Sequence, residues 1–362
     1  MDIAVNAKFL TQRIEGIQRF ALEISKELKR LRPEIRFVAP KGVLNKDIPQ
    51  EFKVETYSGF KNQNIGLALY LKKTGTPLLI NLTSIAPCLY KKQIVTIHDL
   101  SILEHPEWVS KNFFYFYKFL IPVIARNSLK IITPSNFSRE KIIKILKIDP
   151  SRVEVVTNAV SKDFSPAVQK KDEIFFIKTA GGEKIRIQSN KYILTVSSLN
   201  PRKNLKRLVD AFNKLALKDI KLVIAGGGNI LFSSKDNITG AKDTDNIIFS
   251  DYVEGNELVN LYRNALLFVY PSLYEGFGIP PLEAMACGCP VITSNITSLP
   301  ETCGDAAFYV DPYNTDDIAL GIHTLLNDSN LVNQLLNEGK ERIKLFSWEK
   351  SARTILDIIN NL

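Results

Sequence analysis

The apolar residues of this chain fall into short unbroken runs, separated by turns and by stretches in which they recur every three or four positions. Unbroken runs mark strands covered on both faces, as in a parallel sheet, whereas three-and-four spacing marks a helix with one buried stripe. Runs at 1–7, 35–39, 52–57, 77–82, 94–97, 130–133 and 153–156 predict strands in the first half; runs at 192–196, 222–225 and 266–270 predict them in the second. Ile14, Ile17, Ala21, Ile24, Leu28 and Leu31 trace one face of a helix directly after the first strand. Further helices are expected after Ser135, a good N-cap residue, from Leu205, and over 315–326, 331–345 and 348–359. Each half opens with strand, loop and amphipathic helix, so the pattern predicts an α/β chain of two doubly wound, Rossmann-like domains.

A chain of 362 residues supports two such cores. We expect one over 1–165, a linker or hairpin-bearing insertion over the charged 166–190, a second over 191–345 and a closing helix over 346–362. No apolar run approaches the roughly 20 residues that span a bilayer. The opening MDIAVNAKFL lacks a basic segment followed by an apolar one, so no signal peptide is expected. Cys88, Cys287, Cys289 and Cys303 fit no zinc spacing, and Cys287-x-Cys289 beside a proline reads as small buried residues rather than a redox pair, so a reducing cytoplasm is expected.

The net charge of +9 is unevenly placed, with 27 Lys and Arg against 15 Asp and Glu in residues 1–170 and 20 against 23 in 171–362. A basic front half suits an anionic acceptor or an anionic membrane surface, with the protein peripheral on its inner face. Nucleic acid is not expected as a partner, since no RNA or DNA module signature appears. The segment KNFFYFYKFLIPVIARNSLK at 111–130 is rich in aromatics and flanked by cations. It suits either packing on the first sheet, with Pro122 interrupting it, or a membrane interface.

Residues that carry chemistry follow strand ends, where open α/β sheets bind ligands. The stretch YPSLYEGFGIPPLEAMACGCPVITSNITSLP at 270–300 runs strand, glycine-broken loop, helix, strand. Pro280 and Pro281 suit a helix start, and Gly276 and Gly278 let backbone approach a ligand. Free N–H groups there can hold a phosphate, leaving Glu275 and Glu283 to accept from hydroxyls on either side of it. That describes a nucleotide sugar; a helix cap beside a solvated acid is the plainer alternative.

EGFGIPPLEAMACGCPV, with Glu275 and Glu283 seven residues apart, resembles the E-x7-E signature of family-4 retaining glycosyltransferases, and the likeness continues into SLPE and FSWEKSA. The resemblance implies the GT-B fold, two Rossmann-like domains facing across a cleft. It makes the first the acceptor-binding domain and the second the nucleotide-sugar-binding one, with the last helix crossing back to the first. Glu275 would touch the donor sugar and Glu283 the ribose hydroxyls. IHDL followed by HPEW resembles the family's histidine-bearing loop, which places His98 toward the donor sugar; Asp99 either orients it or caps the next turn. SLNPRKNL resembles the phosphate-binding arginine-lysine pair, Arg202 and Lys203, although Ser197 stands where glycine is frequent. Gly16 is the nearest match to a glycine loop near the donor phosphates.

The expected catalytic set is therefore His98, Glu275, Arg202 and Lys203. The donor-binding set is Gly16, Ser198, Arg202, Lys203, Gly276, Phe277, Gly278, Ile279 and Glu283. With cations supplied by side chains, neither a metal nor a cofactor is expected. Gly226-Gly227-Gly228 lacks a nicotinamide fingerprint, and Asp243-x-Asp245 reads as a solvated turn rather than a metal pair. His105 and His323 read as incidental. The function implied is transfer of a sugar, mannose favoured, from a GDP- or UDP-sugar to a glycan or lipid-linked acceptor in cell-surface polysaccharide synthesis. A nucleotide-sugar epimerase of the same fold and a non-catalytic carbohydrate- or nucleotide-binding subunit are the alternatives.

Overall fold

The computed structural model describes residues 2–13, 16–42, 48–58, 63–166, 174–179, 181–226, 246–253 and 255–362. These form two compact units, Met1–Asn158 with Phe346–Leu362, and Ala159–Leu345.

The first unit holds β1 (Ile3–Asn6), β2 (Arg36–Pro40), β3 (Glu55–Tyr57), β4 (Leu78–Asn81), β5 (Gln93–Thr96), β6 (Lys130–Thr133) and β7 (Val153–Val155). They pair in the order β3-β2-β1-β4-β5-β6-β7, every pair parallel. All residues of β1, β4 and β5 are buried, which is why these runs carry no alternation. The chain winds outward from β1 to β3 and returns to β4 beside β1, so the order reverses between β1 and β4. A buried amide ladder crosses this point: Asn6 Nδ2 donates to Asn81 Oδ1 (2.9 Å), Asn81 Nδ2 to Gln93 Oε1 (2.9 Å), and Gln93 Nε2 to the Pro87 carbonyl (2.9 Å). A one-residue slip would unmake all three bonds, so the ladder pins the register.

The helix Gly16–Leu31 buries Phe20, Ala21, Ile24 and Leu28. Ile17, expected on that stripe, is instead 40% exposed near the start of the helix, and Ile14 lies outside the described residues. The closing helix Trp348–Asn360 packs beside it: Ser351 Oγ donates to the Thr157 carbonyl (2.7 Å), and Arg30 meets Glu349 at 2.9 Å. Phe52 lies in a 3-10 turn, Gln50–Phe52, leaving a strand shorter than expected. Nor does Pro122 interrupt its segment. The helix Lys111–Asn127 runs through it, since the bond a proline forfeits would go to the carbonyl of exposed Lys118.

The second unit repeats the winding with β10 (Tyr192–Val196), β11 (Lys221–Ala225), β12 (Ile247–Phe249), β13 (Leu267–Tyr270), β14 (Val291–Ser294) and β15 (Phe308–Val310), ordered β12-β11-β10-β13-β14-β15 and all parallel. Its reversal point lies between β10 and β13. Leu205, Leu208, Val209 and Phe212 from one helix and Ile318, Ile322 and Leu325 from another join its core. The stretch expected as a linker contains β8 (Ile174–Lys178) and β9 (Lys184–Gln188), an antiparallel hairpin belonging to this unit. Ile177 and Ile187 are buried, and the Lys178 carbonyl accepts from Asp251 N–H (2.8 Å). Gly227, Gly228 and the Asp243-x-Asp245 pair lie outside the described residues.

Candidate active site

Beyond β10 the chain makes a 3-10 turn, Pro201–Lys203, started by Asn200, whose side chain accepts from Arg202 N–H (3.0 Å). Asn204 then adopts a left-handed conformation, φ 59°, and its Nδ2 donates to the Pro271 (3.0 Å) and Pro312 (2.6 Å) carbonyls. The Arg202 carbonyl accepts from Ser272 Oγ (3.0 Å) and Leu273 N–H (2.7 Å). The turn is thereby clamped to the segments leaving β13 and β15, at the reversal point of the sheet, with Arg202 and Lys203 on it.

Both cations converge on Glu275. Its Oε1 accepts from Lys203 Nζ (2.6 Å), Ser272 Oγ (2.7 Å) and Tyr270 OH (2.9 Å), and Arg202 Nη1 lies at 3.0 Å. The Lys203 ammonium also bonds the Tyr270 hydroxyl and sits 4.8 Å from the centre of that ring. Four donors thus crowd one oxygen, while no described residue donates to Oε2. Burial pushes the Glu275 carboxyl up, but Arg202, Lys203 and the Ser272 hydroxyl outweigh it and hold the group down at about 2. Two cations and one anion leave the cluster a single net positive charge.

The loop after Glu275 is held from behind. Ser298 Oγ donates to the Glu275 (2.9 Å) and Phe277 (3.0 Å) carbonyls, and Thr302 Oγ1 to the Phe277 carbonyl (2.6 Å). Gly278 has φ +100°, a conformation that favours glycine, and a Cβ there would stand 2.6 Å from Leu299 Cδ2 and push that side chain aside. It opens the helix Ile279–Ala286, whose Pro280 and Pro281 offer no N–H, so fewer first-turn donors exist than an ordinary helix start supplies. Gly276, Phe277 and Gly278 are buried, Ile279 is half-buried and Ser198 is exposed. Gly226, φ +108°, lies against the Ser197 backbone, and the buried Ser197 hydroxyl has no partner among the described residues. Glu283 is buried, and its Oε2 accepts from Tyr262 OH (3.0 Å). Burial, then the Glu283 charge, raises the Tyr262 phenol well above its usual value, so it remains a donor.

In the first unit, His98 follows β5. Its Nε2 lies 3.2 Å from the Leu82 carbonyl, beyond β4, and its ring stands edge-on to Phe20 of the helix that begins at Gly16. A carbonyl has no proton to give, so Nε2 carries the hydrogen. Burial lowers the imidazole's proton affinity more than the Leu82 carbonyl and Asp99 raise it, which favours the neutral ring with Nδ1 bare. Asp99 turns away, accepting from Ser101 N–H (2.9 Å) and Oγ (2.6 Å), so it caps the next turn. Gly16 is the first residue of its helix, and a Cβ there would meet nothing within 4 Å. His105 stacks on Trp108 (3.9 Å), and His323 is exposed. Among the described residues, no group of three or more potential metal-ligating side chains occurs.

Tyr270, Ser272 and Tyr262 bond the two glutamates, and Asn204 and Thr302 hold the loops beside them, without having been singled out from sequence. Tyr270 reads there as the end of a buried strand, and nothing in its neighbours announces that its hydroxyl meets Glu275.

Residues 14–164 match the family described as Glycosyltransferase Family 4, and residues 181–342 the family described as Glycosyl transferases group 1. The O-antigen chain mannosyltransferase B of Escherichia coli is 30% identical over 370 residues, covering 93% of each chain. This chain belongs to the family-4, group 1 glycosyltransferases. Two solved structures share its fold over nearly their whole length. The Anabaena protein HepE, in complex with UDP and glucose, has a TM-score of 0.75 at 16% identity, covering 100% of both chains. WaaG, a glycosyltransferase involved in lipopolysaccharide biosynthesis, has a TM-score of 0.74 at 15% identity, covering 99% of both. The architecture of this glycosyltransferase is GT-B, two Rossmann-like units of parallel sheet.

Proposed function

We propose that this glycosyltransferase moves a hexose, mannose in preference, from a nucleoside-diphosphate donor to a glycan or lipid-linked acceptor in cell-surface polysaccharide synthesis, with retention at the anomeric carbon. The choice of mannose and of a polysaccharide product leans on the E. coli mannosyltransferase, and the donor class on the UDP and glucose bound by HepE.

The observation that carries the reading is the one-sided anchoring of Glu275. A carboxylate whose Oε1 is saturated presents Oε2 as an acceptor for a sugar hydroxyl. Held at about 2, it stays ionised at neutral pH and is a poor proton shuttle, which speaks against the epimerase alternative. As the anomeric carbon becomes cation-like, negative charge grows on the departing diphosphate. In this reading Arg202, the net charge of its cluster and the backbone N–H groups around Gly278 meet that charge, and preorganised groups of this kind contribute about 3 kcal/mol each. The diphosphate oxygen then takes the acceptor proton on the face it leaves. Glu283, steadied by Tyr262, binds the ribose hydroxyls, and His98 serves as a neutral ring. Because the cations are built in, a chelator should leave the rate unchanged.

A panel of GDP- and UDP-sugars read by thermal shift tests this. At about 100 times Kd a ligand stabilises by about 2.7 kcal/mol, a readable shift. One nucleotide sugar should raise the melting temperature and release its diphosphate only when acceptor is added. Release of an altered sugar without acceptor would favour the epimerase, and no shift with any donor would reject the reading.

A further inference from the structure

We propose that Tyr270 is a positioning residue for sugar transfer: its hydroxyl, fixed by the sheet of the second unit, sets the rotation of the Glu275 carboxylate and so presents Oε2 to the donor sugar. This rests on the reading of Glu275 as the group that meets that sugar, and adds what aims it. Tyr270 closes β13, a strand buried throughout, and is itself 2% exposed. Its carbonyl accepts from Thr293 Oγ1 (3.0 Å) on neighbouring β14, and its ring stacks on Phe268, centroids 5.8 Å apart. Neither backbone nor ring has room to swing. The other three groups at Glu275 Oε1 stand outside the sheet: Arg202 and Lys203 on their 3-10 turn, and Ser272 two residues past the strand. Of the four, Tyr270 alone ties the carboxylate to a strand.

The direction of each bond follows from the donors present. An ammonium can only donate, so Lys203 bonds to a lone pair of the Tyr270 oxygen, and the single phenol proton is left for Glu275 Oε1 at 2.9 Å. Among the described residues the Tyr270 hydroxyl has no other partner. Ser272 is less committed, since its one proton has the Arg202 (3.0 Å) and Tyr274 (3.4 Å) carbonyls within reach as well as Glu275. Burial, then the Glu275 charge, raises the Tyr270 phenol well above its usual value, so it remains a donor. Lys203, Tyr270 and Glu275 therefore close a triangle in which the cation polarises the phenol and both meet the same oxygen. Without the hydroxyl, the two cations would still keep Glu275 ionised, but the sheet would no longer fix its rotation.

Tyr270→Phe keeps the stacked ring and removes the bond, and it is measured for donor affinity and sugar transfer beside Glu275→Gln and the double variant. Donor affinity should stay within about threefold of wild type while transfer falls about tenfold. On the Glu275→Gln background the same change should cost less than about twofold more, because Tyr270 acts through that carboxylate. A general loss of packing would lower transfer by the same factor on either background, and that result would overturn the proposal. So would transfer at the wild-type rate in Tyr270→Phe, or a fall in donor affinity as large as the fall in transfer. Glu275→Gln keeps the two claims apart. If it transfers at the wild-type rate, the reading of Glu275 fails and this inference with it; if it is impaired while Tyr270→Phe is not, this inference alone fails.

Discussion

In the second unit, the edge beyond β10 and β13 gathers two cations and two hydroxyls onto a single carboxylate oxygen; in the first, the edge beyond β1 and β4 carries a ladder of neutral amides and a neutral imidazole. Both sheets wind outward from a central strand and reverse beside it. Winding therefore fixes where a site lies and leaves its chemistry to the few residues after each strand. Buried charge is tolerable in the second unit because each partner is bonded. In the first, amides achieve the same satisfaction with no charge to desolvate.

Breaking the charged edge should have the largest effect. Glu275→Ala leaves Lys203 and Arg202 without their anion, and we expect turnover to fall about a hundredfold or more and stability by about 3–5 kcal/mol, read by transfer assay and chemical unfolding. Moving charge to the neutral edge is the converse. Asn81→Asp loses the donor to Gln93 and puts a carboxylate where no cation waits; a loss of about 2–3 kcal/mol is expected in the same unfolding measurement. Smaller still is Tyr262→Phe, which keeps the ring and removes the bond to Glu283. The donor KM should rise about tenfold with kcat nearly unchanged, a split that a general loss of packing would not give.

The two edges should also separate on a pH axis. Glu275 has its proton affinity lowered by folding, so its contribution is complete above 4.5 and is lost as pH falls toward about 2. His98 is lowered as well, so the neutral ring persists above the ordinary value of 6.5, and protonation weighs against the fold only below it. Stability should thus be flat from neutral pH down to about 6.5, with the charged edge contributing to its fall only below 4.5.

Most of the fold was legible from the sequence, because parallel strands buried on both faces read as unbroken apolar runs. β12 and β15 were not: three residues each, Ile247–Phe249 and Phe308–Val310, are too few to show a period. A hairpin was expected within 166–190, but its strands, 174–178 and 184–188, could not be bounded in a charged stretch where few residues are buried. Glu275 and Glu283 stood out through their spacing, and Arg202 with Lys203 through their place after a strand. What spacing leaves unseen is the contact between these groups. That Lys203 meets Glu275, 72 residues further along the chain, depends on β10 and β13 lying side by side in the sheet.

Glu275→Gln, which keeps the shape of the side chain and removes its charge, tests the central claim most directly when donor binding and sugar transfer are measured on the same preparation. Donor affinity should stay within about threefold while transfer falls about a hundredfold. A variant that transfers sugar at the wild-type rate would contradict the assignment of that carboxylate to the reacting sugar.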